Sequence, residues 1–144
     1  MEYNDTIKLL RECDSGSKMA VTSIDEVLES VQSTRLKQLL SQSKTEHTNL
    51  GNSIHSLLNE NGGGEKDPNP MAKGMSWMKT NVKMTVDKSD ATVADLITDG
   101  CNMGVKSLAK YLNQYKAADG ISRGICTRLI DIETQLATDM RGFL

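Results

Sequence analysis

The chain has 144 residues, enough for one domain with a sizeable core, and its 17 basic and 19 acidic residues give a net charge of −2. This balance excludes a broad basic field, so we expect neither nucleic acid nor a membrane as a partner. No apolar run is long enough to cross a bilayer and no signal peptide is evident, so we expect a cytoplasmic protein. Cys13, Cys101 and Cys126 contain no C-x-x-C pair. That pattern favours reduced, buried thiols over a disulfide framework or a structural zinc site.

The first predicted helix covers about residues 5–31. Its apolar residues recur at steps of three and four, the spacing of one helix face, and Asp14 and Ser17 form a polar middle in that stripe. A second stripe covers about 34–60 and has His47 near its centre. Only two or three residues separate the stripes, so the sequence predicts an antiparallel helical hairpin.

A glycine-rich run, N-E-N-G-G-G at 59–64, ends the second helix, and residues 62–89 form a connection too long for a tight turn. We expect this connection to run along the bundle, with a short amphipathic helix at about 70–86. The apolar face of that short helix comprises Met71, Met75, Met78 and Val82, with Trp77 beside it. We interpret the methionines as adaptable packing rather than as ligands for Cu(I), with a dimer contact as the alternative.

The third predicted helix covers about residues 90–116, with Ser89 or Asp90 as its N-cap. The fourth covers about 120–143, and its apolar stripe includes Leu129, Ile132 and Leu136. The short turn before it predicts a second antiparallel hairpin. No strand pattern competes with these helices. The sequence therefore predicts one all-α domain over 1–144, a four-helix bundle of two antiparallel hairpins joined by a long crossover.

Two long hairpins joined by a crossover that carries a short Trp-bearing helix resemble the ferritin-like superfamily. The stretch M-A-K-G-M-S-W-M-K-T-N-V-K-M at 71–84, an acidic cap region after it, and Tyr111 late in the third helix carry the likeness. The chain is similar to the small uncharacterised bacterial ferritin-like domains that lack the di-iron ligands. The resemblance covers nearly the whole chain and implies the fold; it implies no settled activity.

Metal-loaded members of that superfamily place a Glu on helices one and three and Glu-x-x-His on helices two and four. In this sequence Lys44 stands three residues before His47, and no Glu-x-x-His occurs. On the fourth helix Glu133 is followed three residues later by Leu136. A di-iron site would lack the carboxylates that such ions require, so we expect no metal and no cofactor.

His47 is the residue on which a functional interpretation depends. A tight hairpin would bring its imidazole close to Ser17 and Asp14, and we predict a buried histidine satisfied by a hydrogen bond to one of them. The alternative is a ligand of haem or of a single metal ion, with Met103 or Asp14 as its partner. His55 lies beside the stripe, and we expect it to be half exposed.

Four glycines lie inside the predicted helices. Gly100 and Gly104 form a Gly-x-x-x-Gly pattern in the third helix, and Gly16 and Gly51 lie in the first two. Each costs about 1 kcal/mol relative to Ala in helix propensity, so some contact must offset the cost. We favour close helix packing at the middle of the bundle, with a small-molecule cavity as the alternative.

Two classes of function follow from these observations. The first is a non-catalytic ferritin-like scaffold or interaction module in a bacterial cytosol, assembled as a dimer or a higher homo-oligomer, with an unidentified protein as a further candidate partner. The second is a metal-binding or haem-binding protein that handles iron or electrons through His47 and non-standard partners. No nucleophile elbow and no phosphate-binding loop support an enzyme.

Overall fold

The computed structural model describes residues 4–63 and 89–144 of the chain. These two ranges contain four long helices and no strand, which confirms the predicted all-α four-helix bundle. The helices are α1 (Asp5–Leu28), α2 (Thr34–Glu60), α3 (Asp90–Gln114) and α4 (Gly120–Met140), and a 3-10 turn (Arg141–Phe143) follows α4. The predicted short helix at 70–86 and Trp77 lie outside the described residues.

A polar side chain begins each helix. The side chains of Asn4, Ser33, Ser89 and Asp119 each accept a hydrogen bond from the backbone N–H three residues later, at 2.8–3.2 Å. Ser89 rather than Asp90 is therefore the cap of α3. Because caps are local interactions, the predicted starts agree with the structure.

Three helices end earlier than predicted. The structure ends α1, α3 and α4 at 28, 114 and 140, whereas the sequence pattern extended them to 31, 116 and 143. After α1, the N–H groups of Ser30 and Val31 bond to carbonyls only three residues back, so the chain tightens into a turn. The end of α2 follows the prediction, with Gly62 in the left-handed region at φ +74°.

At one end of the bundle, the start of α3 is tied to the turn between α1 and α2. The carboxylate of Asp90 accepts hydrogen bonds from the backbone N–H groups of Gln32 and Ser33 at 2.8 and 2.9 Å. Helices α2 and α3 therefore begin at the same end and run parallel.

At the opposite end, the start of α1 is tied to the turn between α3 and α4. The Asp5 carboxylate accepts from the Ala117 N–H and the Thr6 hydroxyl accepts from the Asp119 N–H, both at 2.9 Å. The end of α2 lies there too, because the Arg11 guanidinium donates to the Gly63 carbonyl at 3.1 Å. Residues 63 and 89 thus lie at opposite ends of the bundle.

The core consists of two apolar clusters, one towards each end. The first, at the α1–α2 turn, includes Ile24, Leu36, Leu40, Ile97, Leu136 and Met140. The second, at the α3–α4 turn, includes Ile7, Leu10, Leu50, Ile54, Leu108 and Leu129. A polar layer separates them, and its buried residues include Ser17, Ser43, His47 and Glu133. This layer is called the waist below.

Helix α1 packs against all three other helices, and α2 packs against α4. The buried polar side chains of the waist come from α1, α2 and α4. Among the described helices, none combines the length and the apolar character needed to span a membrane.

Candidate functional site

His47 lies at the centre of the waist with 0% of its surface exposed. Its Nδ1 is 2.8 Å from the carbonyl oxygen of Ser43, one turn earlier in α2. Because a carbonyl can only accept a hydrogen bond, Nδ1 carries the hydrogen, and the Nε2 of a neutral ring presents its lone pair. The Ser43 bond thus sets both the tautomer and the direction in which Nε2 points.

Glu133 of α4 faces that nitrogen. Its Oε2 is 3.6 Å from Nε2 of His47, and its side chain is 1% exposed. Within the described residues, neither Nε2 of His47 nor Oε1 of Glu133 has a hydrogen-bond partner. A lone pair and a carboxylate oxygen repel each other unless a proton or a cation lies between them. A proton or a cation between the two atoms would remove this repulsion.

Burial raises the pKa of Glu133, and the facing His47 lowers it by a smaller amount, so the pKa lies above the usual value for a glutamate. The pKa of the buried Cys101 thiol is also raised, by burial and by the nearby Glu133 charge. A protonated Glu133 could donate to Nε2 of His47. Burial at the waist thus favours the protonated form of this acid.

Gly104 of α3 makes room for this carboxylate. A Cβ at position 104 would overlap Oε1 of Glu133 and lie 3.1 Å from its Cδ. The missing side chain explains why a helix-weakening residue stands there. The predicted offset for the Gly104 cost therefore exists, but it is a contact with a carboxylate rather than with a helix backbone.

Gly51 shows the other predicted use of a glycine. A Cβ there would lie 3.3 Å from the Ser17 hydroxyl oxygen, so α1 and α2 approach closely at this point. Gly100 is buried in α3, and Gly16 lines a cavity between α1 and α3. Close packing and a cavity both occur, at different glycines.

The predicted hydrogen bond from His47 to Ser17 or Asp14 is wrong. The Ser17 hydroxyl donates to the Asp14 carbonyl at 3.0 Å, and His47 bonds to Ser43 of its own helix. The physical reason is that the Ser43 carbonyl fixes the ring so that Nε2 points to α4 and not to α1.

The remaining ligand candidates for His47 lie in two places. Asp14 shares with His47 a groove between α1 and α2, where its carboxylate pairs with Lys18 at 2.9 Å. His55 stands in the same groove, 3.9 Å from Asp14 and 34% exposed, half exposed as expected. Met103 is 56% exposed and lines the cavity between α1 and α3.

Sequence reasoning missed Glu133 as a core residue. It assigned the buried stripe of α4 to Ile132, whereas the structure buries Glu133 and leaves Ile132 only partly covered. The spacing of the buried residues could have revealed it. Glu133 fits the helical steps of four, three and four residues that connect Leu129, Glu133, Leu136 and Met140. An acid in that register is a buried acid, and a buried acid needs a partner.

The three cysteines are buried free thiols, as predicted. Cys13 of α1 and Cys126 of α4 are neighbours, and a hydrogen bond between their side chains raises the pKa of Cys13 and lowers that of Cys126. The Cys126 thiol also lies 3.7 Å from the Leu108 carbonyl. These thiols tie α1, α3 and α4 together just beyond the waist.

Within the described part of the chain, no group of three or more His, Cys, Asp or Glu side chains is arranged to hold a metal ion. A scan of the chain against models of protein families found no match. A search of curated proteins likewise found none.

Proposed function

We propose that the chain is a ferritin-like bundle that works as a non-catalytic scaffold or interaction module, assembled as a dimer or a higher homo-oligomer in a bacterial cytosol. The observation that carries the proposal is the His47–Glu133 pair. It occupies the centre of the bundle, where metal-loaded members of the ferritin-like superfamily hold their ions, and both of its side chains are buried. The parallel run of α2 and α3, with residues 63 and 89 at opposite ends, supports the ferritin-like part of the proposal.

The scaffold proposal is tested with His47→Leu. Leucine is close to histidine in volume, and burial raises the pKa of Glu133, which reduces the cost of leaving that acid without its partner. We expect circular dichroism to show an unchanged helix content and light scattering an unchanged mass, relative to the native chain. Loss of the assembly with the fold retained would mean that His47 takes part in the function.

A second candidate is a metal-binding protein in which Glu133, rather than Asp14 or Met103, is the partner of His47. It is favoured by the 3.6 Å between Nε2 and Oε2, which leaves room for an ion about 2.1 Å from each. The two atoms come from α2 and α4, the helices that supply Glu-x-x-His in metal-loaded relatives.

Metal analysis of protein purified without chelator separates the two candidates. The scaffold proposal expects no stoichiometric iron, copper or zinc and no haem absorbance. Stoichiometric metal that is lost in both His47→Ala and Glu133→Gln, and kept in His55→Ala, would replace it with the metal-binding function. His55→Ala is the matched control because His55 lies in the α1–α2 groove and faces Asp14.

A further inference from the structure

A cavity of about 360 Å³ lies between α1 and α3, beside the waist. Its wall includes Glu12, Gly16 and Met19 from α1, Met103 and Gly104 from α3, and Glu133 from α4. It is distinct from the α1–α2 groove, which contains His47, Asp14 and His55.

A carboxylate oxygen that lacks a hydrogen-bond donor in the described part of the chain lines the cavity. Glu133 is 1% exposed, and within the described residues its Oε1 accepts no hydrogen bond. The side chain meets the cavity at Gly104, where any Cβ would overlap Oε1. A buried acceptor without a donor is costly, so a ligand that brings an N–H donor to this carboxylate gains binding energy from it.

The charged residues of the cavity wall determine which charge a ligand must carry. The lining residues that the structure describes include two acids, Glu12 and Glu133, and no Lys, Arg or His. At the outer part, the Tyr111 phenol hydrogen-bonds to Glu12, which together with burial raises the pKa of Tyr111 to about 12. An anion would be repelled here, and a cation would be attracted.

The rest of the wall selects an organic cation over a hydrated metal ion. Met19, Met103 and Leu108 present aliphatic and thioether surface, which suits a carbon chain and gives a metal ion few oxygen ligands. The Tyr111 ring adds an aromatic face of the kind that attracts ammonium groups.

We propose that this cavity binds a small alkylammonium compound, whose N–H groups donate to the Glu133 carboxylate while its carbon chain packs against Met19 and Met103. The site goes beyond the scaffold function and does not depend on the oligomeric state. It would make the bundle a sensor or carrier of a small amine.

The test is a titration of the full chain, of known metal content, with n-butylammonium and with 1,4-diaminobutane, followed by calorimetry. We expect saturable binding in the millimolar range or tighter. Glu133→Gln should weaken it by about tenfold or more, because a charge-assisted hydrogen bond is lost. Asp14→Asn, an acid-to-amide change in the other groove, is the matched control and should leave the affinity unchanged.

Two measurements keep the test decisive if Glu133→Gln does not fold. Neutral n-butanol should bind at least about tenfold more weakly than n-butylammonium to the native chain, because it lacks the charge. Amide chemical shifts on titration should move at Gly104 and Met103 more than at Gly51 and Asn52. Equal binding of the alcohol, no saturable binding of either amine, or shifts centred on the α1–α2 groove would each overturn the proposal.

Discussion

In the two apolar clusters the helices meet through aliphatic side chains such as Leu40 and Leu129, whereas at the waist α2 and α4 meet through His47 and Glu133. Apolar packing alone stabilises the clusters, so an apolar side chain of similar shape and volume can replace another there. At the waist, two buried polar side chains face each other and the absence of a side chain at Gly104 makes room for one of them. Stability is thus concentrated in the clusters, and chemical specificity in the layer between them.

The two sides of α1 also differ in how their acidic side chains are paired. In the α1–α2 groove Asp14 is balanced by Lys18 and faces His55. In the α1–α3 cavity the two acids, Glu12 and Glu133, have no basic neighbour among the lining residues. The acids on the α1–α3 side thus share their cavity with no basic side chain that the structure describes, although His47 faces Glu133 from α2.

The largest expected effect is in an apolar cluster. Leu129 is fully buried in α4, and Leu129→Ala should lower the free energy of unfolding by about 2–5 kcal/mol, because it removes burial and leaves a cavity. Urea denaturation measures the change. Ile121→Ala, on the same helix but 65% exposed, should change it by less than about 0.5 kcal/mol. Equal effects at the two positions would contradict the assigned core.

At the waist, the informative change is Gly104→Ala. In the native chain the new Cβ must displace the buried Glu133 carboxylate, and we expect a loss of about 1–3 kcal/mol. In a Glu133→Ala background the obstacle is gone, and the same change should stabilise by up to about 1 kcal/mol through helix propensity. Gly124→Ala, where a Cβ meets nothing within 4 Å, should stabilise in both backgrounds. If Gly104→Ala had the same sign in both, the contact with Glu133 would not be what requires glycine.

The helices and their starts were predictable because local interactions decide them. Ser33 and Ser89 cap the backbone three residues ahead, and the three–four spacing of apolar residues needs no knowledge of the partner helix. The helix ends were predicted too late because local interactions do not decide them. Whether residues 29–31 continue α1, for example, depends on the turn that leads into α2.

The waist was predicted only in part. The polar middle of α1 and the burial of His47 followed from the pattern, but its partner did not. The sequence pattern placed Ile132 in the buried stripe of α4 because it is apolar. The structure instead buries its neighbour Glu133, four residues after Leu129. The His47–Glu133 pairing joins helices from different hairpins, so hairpin geometry alone could not reveal it. The Ser43 carbonyl, one turn before His47, was the one local clue to the direction of the ring.

The pH dependence of stability tests the buried acid. Because its folded-state pKa is raised, Glu133 contributes stability that is fully present below its ordinary pKa of 4.5 and is lost as the pH rises through the folded value. Glu133→Gln should abolish this contribution, whose slope is at most about 1.4 kcal/mol per pH unit, that of one proton. His47 of α2 faces Glu133, and the Glu133 charge also acts on Cys101 of α3, Cys13 of α1 and Cys126 of α4.

The measurement is the difference between the unfolding free energies of native and Glu133→Gln protein, followed from pH 4.5 upward. Groups whose titration is the same in both proteins cancel from that difference. A difference that stays constant with pH would mean that Glu133 titrates normally, and the proton-holding account of the waist would then be wrong.

The smallest expected effect lies at the end of the bundle, where neither cluster nor waist is involved. Asp90→Ala removes the acceptor for the Gln32 and Ser33 N–H groups and should cost about 1 kcal/mol, since those groups can turn to water. Asp99→Ala, an exposed acid on the same helix, should change stability by less than about 0.5 kcal/mol. Hydrogen exchange gives the sharper readout: the Gln32 and Ser33 amides should lose protection in the first variant alone. Loss of protection throughout α2 would instead mean that this contact holds the two hairpins together. The end of the bundle would then contribute as much to stability as the apolar clusters.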